Sequence, residues 1–109
     1  MKHLVIATLD NVRVTEDVLK ELSHAGYNGS VIASTSLKHT LTNGGEIPMF
    51  VNLSHFESDK YENNTIINIV VEENQIDDVL GIIREKTKKF TLCHGGMYVT
   101  PLERYEGSF

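Results

Sequence analysis

Apolar and polar positions along the chain repeat one three-part pattern twice. In the first half, an apolar run over residues 3–9 predicts a buried strand, and a helical period over residues 15–25 predicts an amphipathic helix. Thr15 is the predicted N-cap of this helix, and Gly26 is the predicted left-handed residue that ends it. A β-branched run within residues 29–35 then predicts a second strand.

The second half follows the same order. Residues 65–71 form another apolar run, and Asn74 is the predicted cap of the helix that follows. The apolar residues of that helix recur at i, i+3, i+4 and i+7, and they are Ile76, Val79, Leu80 and Ile83. Residues 97–100 predict the closing strand, which Pro101 ends.

Two β-α-β units in one chain predict an α+β fold, a ferredoxin-like double β-α-β sandwich. Its four-stranded antiparallel sheet would carry both helices on one face. Residues 1–109 are expected to form a single domain, interrupted by a long loop over about residues 37–64. Since strands this apolar need cover on the second face as well, we expect an oligomer that buries the bare faces against each other.

Composition narrows the class of partner. The chain has 109 residues, 40% of them hydrophobic, and a formal net charge of -5, so we expect no nucleic-acid binding. One cysteine excludes an intramolecular disulfide framework. Neither a signal peptide nor a membrane-length apolar run is apparent, which predicts a cytoplasmic protein.

Catalytic and metal chemistry have weak sequence support. No Ser-His-Asp order, paired carboxylate motif or Walker-type sequence is present, so we expect no enzyme and no catalytic residue. Cys93 and His94 are adjacent, and neighbours on an extended segment point to opposite sides, which favours a core thiol for Cys93. We expect no metal site, although His39, His55, Cys93 and His94 remain as possible ligands.

Two polar segments are candidates for binding an anion. Residues 91–96, Thr-Leu-Cys-His-Gly-Gly, contain paired glycines that let backbone amides approach a phosphate, although an ordinary turn explains them equally well. Residues 34–38, Ser-Thr-Ser-Leu-Lys, offer three hydroxyls and a cation, although a solvated loop stem would look the same. In an oligomer, these segments from adjacent subunits could face one cleft.

The closing segment Gly-Gly-Met-Tyr-Val-Thr-Pro-Leu-Glu, residues 95–103, resembles the glycine-rich B-loop and final strand of PII-like signalling proteins. Residues 1–7 also fit the first strand of that superfamily, and residues 32–35 are similar to the segment before the loop in the related cyclic-di-AMP receptors. By this resemblance residues 37–64 would be the T-loop, the element through which PII proteins engage their partners.

The resemblance implies a homotrimeric signal-transduction protein without a cofactor, which binds nucleotides between subunits and acts on a target transporter or enzyme through the T-loop. The implied contact residues are Ser30, Ser34, Thr35, Ser36, Leu37, Lys38, Thr91, His94, Gly95 and Gly96. Gly96 replaces the B-loop lysine of the family, and Arg104 alone remains of its paired arginines. The implied ligand is an adenine nucleotide. Because these two changes remove positive charge from the site, ADP, AMP or cyclic-di-AMP is as plausible a ligand as ATP. The alternative function is a divalent-metal-responding trimer of the CutA kind.

Overall fold

The computed structural model describes residues 1–35, 37 and 64–108. The predicted element order is confirmed, and the elements are β1 Lys2–Leu9, α1 Val12–His24, β2 Ser30–Ser34, β3 Asn64–Glu72, α2 Ile76–Lys86 and β4 Gly95–Pro101. A single 3-10 turn, Glu73–Gln75, leads from β3 into α2. The predicted long loop lies, apart from residues 37 and 64, outside the described residues.

The sheet has four strands in the order β2-β3-β1-β4, and every neighbouring pair is antiparallel. In the register of β1, Leu9 lies opposite Thr65 of β3 on one side and Gly95 of β4 on the other. Neither β-α-β unit pairs its own two strands within this sheet, because the two units interleave. The ferredoxin-like fold class is thereby confirmed.

One face of the sheet carries both helices and the hydrophobic core. Alternate residues of β1 and β3 point into it and are almost fully buried, namely Val5, Ala7, Leu9, Ile67, Ile69 and Val71. Val18 and Leu22 of α1, and Val79 and Ile83 of α2, pack onto this surface. In the single chain, both central strands therefore alternate between a buried and a half-buried face.

The opposite face of the sheet has no helix over it in the described part of the chain. Strand register places on it the apolar side chains of Leu4, Ile6, Ile32, Ile66, Val70 and Tyr98. The two nearest the edges are the most exposed, with 47% of Ile32 and 61% of Tyr98 accessible. This is the apolar face that, from the sequence pattern, we expect a second copy of the chain to cover.

Helix α1 begins four residues earlier than the sequence pattern indicates. Its N-cap is Asn11, whose Oδ1 accepts a hydrogen bond from the backbone N of Val14 at 3.1 Å. The predicted cap, Thr15, is instead a buried residue inside the helix. Gly26 follows the helix with a φ of 91°, so the predicted left-handed stop is confirmed.

Helix α2 is also entered differently from the prediction. Asn74 was the expected cap, but it lies within the 3-10 turn. The turn is closed by Gln75, whose Oε1 accepts from the backbone N of Glu72 at 2.9 Å. Asp77 and Asp78 then place negative charge in the first turn of α2, where it complements the helix dipole. Asp78 Oδ2 also accepts a 2.7 Å hydrogen bond from the Tyr27 hydroxyl, which raises the pKa of Tyr27 to about 12.

A left-handed turn follows α2. Lys88, Lys89 and Phe90 have φ values of 52°, 57° and 59°, and each such non-glycine residue costs about 1–2 kcal/mol. The fully buried Thr87 holds the turn, because its Oγ1 donates to Ile83 O at 2.8 Å and accepts from Phe90 N at 3.1 Å. Lys88 and Lys89 lie beyond the end of α2 at Lys86.

Among the described residues, no helix combines the length and hydrophobicity that crossing a membrane requires.

Candidate ligand site at one end of the sheet

Both candidate ligand segments, residues 34–38 and 91–96, join the sheet at the same end. Ser34 ends β2 there, opposite Asn64, and Gly95 begins β4 there, opposite Leu9. The β1–α1 turn, which starts at Asp10, emerges at this end too. The fold thus gathers the stem of the long loop, the glycine segment and the first turn at one end.

The two segments lie at opposite edges of that end. Since β3 and β1 separate β2 from β4, Ser34 and Gly95 are about 14 Å apart at the usual strand spacing. Thr35 continues from Ser34, and Leu37 is 79% exposed, whereas Ser36 and Lys38 lie outside the described residues. Two copies of the chain, meeting edge to edge, would be needed for the segments to enclose one small ligand.

Ser30 does not belong to this end. It pairs with Asn68 at the start of β2, on the outer edge of the sheet. There it lines an open groove of about 110 Å³ between α1 and β2, whose apolar wall includes Leu19, Val31 and Ile67. The structure therefore separates Ser30 from the other predicted contact residues.

The paired glycines are part of β4 rather than of a loop. The closing strand begins at Gly95, two residues earlier than predicted, and Gly95 and Gly96 pair with Leu9 and Thr8. Gly95 has a φ of 142°, and a Cβ placed on it would lie 1.8 Å from the backbone oxygen of Thr8. The first glycine is thus required by the close approach of β1, which is a structural reason for glycine at position 95.

The loop before β4 uses its backbone amides internally. The amides of Thr91 and Leu92 donate to Thr87 O at 3.1 and 3.2 Å, and the Thr91 hydroxyl donates to Lys88 O at 2.6 Å. The amide of His94 donates to Asp10 Oδ1 at 2.7 Å. An anion cradle made of amides 91, 92 and 94 is therefore already occupied by groups of the chain itself.

Asp10 is a site residue that sequence analysis missed. Asp10 accepts a hydrogen bond from the His94 amide, and its Oδ2 lies 3.2 Å from Nδ1 of the His94 ring, where an imidazole with its proton on Nδ1 would donate to the carboxylate. The neighbouring Asn11 amide donates to Leu92 O at 3.4 Å. The signal available in sequence was the polar pair Asp10 and Asn11 directly after a buried strand, a pattern that by itself indicates only a turn.

Cys93 and His94 point to opposite sides, as the sequence predicts. Cys93 is 8% exposed and belongs to the core, whereas the His94 side chain is 99% exposed. Burial raises the pKa of the Cys93 thiol, and the negative charge of Asp10 raises it further, while a hydrogen bond from the Asp10 backbone acts in the opposite direction. A nucleophilic cysteine needs a lowered pKa and access, and this thiol has neither.

We expect Cys93 to react slowly with iodoacetamide. At pH 8 the native protein should be alkylated at least about tenfold more slowly than the same chain in urea, because the native thiol is buried and protonated. Mass spectrometry of timed samples measures both rates. Equal rates in the two conditions would show that the thiol is accessible and would reopen a catalytic role.

In the part of the chain that the structure describes, no three His, Cys, Asp or Glu side chains are placed to hold a metal ion. Of the ligands suggested by the sequence, Cys93 is buried and His94 is turned toward Asp10. His39 and His55 lie outside the described residues.

Comparison with known proteins supports the fold. No protein-family model and no curated protein sequence matches the chain. The solved structures that are similar to it over most of its length include the following two. A functionally unknown protein from Pediococcus pentosaceus is 14% identical, with a TM-score of 0.61, covering 98% of this chain and 97% of its own. Arabidopsis thaliana PII bound to citrate is 18% identical, with a TM-score of 0.59, covering 93% of this chain and 77% of its own. The chain therefore has the PII-like fold.

Proposed function

We propose that this protein is a PII-like regulatory protein that binds an adenine nucleotide between subunits of a homotrimer and acts on a partner protein through residues 37–64. The observation that carries the proposal is the position of both candidate ligand segments at one end of a PII-like sheet, on opposite edges. A second copy of the chain would then supply the other half of each ligand cleft.

The sheet face that carries no helix in the described part of the chain supports the trimer. Ile6 and Val70 lie on that face at its centre, and Ile32 and Tyr98 lie toward its edges. Burying such side chains contributes about 25 cal/mol for each Å² of apolar surface removed from water. Packing three sheets face-inward would bury this surface and bring the β2 edge of one copy toward the β4 edge of the next.

The ligand would join the stem of residues 34–38 in one subunit to the glycine segment of another. Ser34, Thr35 and Lys38 supply hydroxyls and a cation that suit phosphate. By fixing the stem, the ligand would favour one arrangement of residues 37–64. The partner, a target transporter or enzyme, would bind that arrangement in preference to others.

Light scattering and calorimetry test the proposal together. We expect a trimer in solution that binds at least one of ATP, ADP, AMP and cyclic-di-AMP; citrate joins the panel because Arabidopsis PII binds it. Lys38→Ala should weaken nucleotide binding about tenfold or more by removing a charged hydrogen bond. Lys20→Ala, on the exposed side of α1, is the matched control and should leave the affinity unchanged.

Two results would contradict the proposal at different points. A monomer in solution would exclude clefts between subunits. A trimer that binds none of the four nucleotides would leave the PII-like fold intact and would overturn the nucleotide ligand.

A further inference from the structure

The sheet face that carries no helix in the described part of the chain changes character along its length. Strand register places Ile6, Ile32 and Ile66 on it, toward the end where the candidate ligand segments join the sheet. Six residues after Ile66, the same face carries Glu72, opposite Lys2 of β1. At the usual rise of a strand, Ile66 and Glu72 are about 20 Å apart. This face therefore has an apolar end beside the candidate ligand segments and a charged far end.

The far end of the face carries an ion pair. Lys2 Nζ lies 2.7 Å from Glu72 Oε1, and the two side chains are 41% and 48% exposed. Their hydrogen bond raises the pKa of Lys2 and lowers the pKa of Glu72, so both groups are charged at neutral pH. Packing a second copy against this pair would remove water from two charges, which is unfavourable unless the second copy supplies new hydrogen bonds. The charged end is thus a poor surface for contact between subunits.

The segment after β4 reaches the same charged end. The amide of Leu102 donates to Lys2 O at 2.9 Å, and the Tyr105 ring lies 5.4 Å from Lys2 Nζ. Tyr105 also lines an open cavity of about 320 Å³ together with Val70 of β3 and the turn that follows α1. Residues 102–108 have therefore passed from the β4 side of β1 across to β3. A second copy would have to displace this segment to reach the ion pair.

The apolar end of the face differs in both respects. About half of Ile32 and more than half of Tyr98 are exposed to water, and Ile6 and Ile66 lie on the same face beside them. Covering such side chains is favourable in proportion to the apolar area removed from water. A second copy of the chain offers a face of the same chemistry, with its own charged end at the same distance. The apolar ends of two copies can therefore pack together while both ion pairs remain in water.

We infer that the interface between subunits is confined to the apolar end of this face and ends before the Lys2–Glu72 pair, which stays in water beside residues 102–108. The inference rests on the proposed homotrimer and specifies which part of the sheet a second copy covers. Ser34 ends β2 and Gly95 begins β4 at the apolar end. Contact between subunits is thereby placed at the end of the sheet where the ligand is proposed to bind.

Thiol labelling of two matched variants tests this boundary. Ile66→Cys and Glu72→Cys place one cysteine each on the same face of the same strand. Each variant reacts with iodoacetamide at pH 8, in the native oligomer and in urea, and mass spectrometry of peptides distinguishes the new thiol from Cys93. We expect the native oligomer to slow labelling at position 66 by about a hundredfold or more, and at position 72 by less than about tenfold. Ile66 is only half-buried in the single chain, so protection of that size requires a second copy.

Light scattering of two further variants gives an independent measure. Ile66→Glu should dissociate the oligomer, because it places an unpaired charge between subunits, whereas Glu72→Ala should keep the wild-type mass. Equal protection at positions 66 and 72, or dissociation by Glu72→Ala, would overturn the inference while the homotrimer of the wild type stands. Fast labelling at position 66 in a trimeric protein would overturn it as well. A monomeric wild type would overturn the proposed homotrimer and this inference with it. Should Ile66→Glu not fold, the labelling pair alone decides.

Discussion

Gly95→Ala is expected to destabilise the protein by at least about 3 kcal/mol and to leave it largely unfolded at 37 °C. The added Cβ would lie 1.8 Å from the backbone oxygen of Thr8, in the central strand β1. Backbone cannot move aside as a side chain can, and the φ of 142° is in addition unfavourable for any residue with a Cβ. Relief would require separating β4 from β1, which is the pairing that positions the whole segment of residues 91–96.

The adjacent glycine is the control for this substitution. A Cβ on Gly96 would have, among the described residues, the Tyr98 hydroxyl as its nearest neighbour, at an ordinary contact distance of 3.7 Å. Gly96→Ala should therefore change the free energy of unfolding by less than about 1 kcal/mol. Urea unfolding followed by circular dichroism measures both variants. Equal effects at the two positions would contradict the strand geometry at the start of β4.

Thr87→Val is expected to destabilise the protein by about 2 kcal/mol. The Thr87 hydroxyl is fully buried, donates to Ile83 O at 2.8 Å and accepts from Phe90 N at 3.1 Å. Valine keeps the shape of the side chain but leaves the Phe90 amide without its acceptor. That amide belongs to a turn of three left-handed residues, and its hydrogen bond to Thr87 is one of the contacts that offset the strain of the turn.

Thr15→Val is the matched control. Thr15 is also a buried threonine, but within the described residues its hydroxyl has no hydrogen-bond partner. Replacing that hydroxyl with a methyl group should be neutral or stabilising by up to about 1 kcal/mol, because an unsatisfied buried polar group is removed. Thermal melts of the two variants, read against wild type, should shift in opposite directions or differ by several degrees. A larger loss for Thr15→Val than for Thr87→Val would contradict the assigned hydrogen bonds.

The order of strands and helices was predictable because it depends on local periodicity. Apolar runs and helical spacing identified four strands and two helices in the right order, and the left-handed stop at Gly26 followed from glycine chemistry alone. Helix starts were less predictable. The first turn of α1 contains Val12 and Val14, which are weak helix formers, so the pattern pointed to Thr15 although the side chain of Asn11 makes the cap.

The details of the site depend on contacts between distant parts of the sequence. A Gly-Gly pair is compatible with a turn, a phosphate cradle or a strand that meets another backbone closely, and the approach of Thr8 decides among them. Asp10 and His94 are 84 residues apart, and no local pattern links them. The left-handed residues at 88–90 are lysines and a phenylalanine, types that give no sign of positive φ. The ligand and partner contacts of all candidate residues, those at 36 and 38–63 included, remain predictions.

The strand order also has a consequence for how the chain folds during synthesis. β1 lies in the middle of the described sheet, and its two neighbours are β3 and β4, both from the second half of the chain. An N-terminal half that has left the ribosome therefore carries two apolar strands that do not pair with each other. The described sheet cannot begin to assemble until residues 64–72 have been made, and β1 can pair with β4 only after residues 95–101 have been made. Folding of these residues is thus expected to be slow for a domain of this size, and until β3 has been made the apolar β1 segment is a stretch that chaperones could bind.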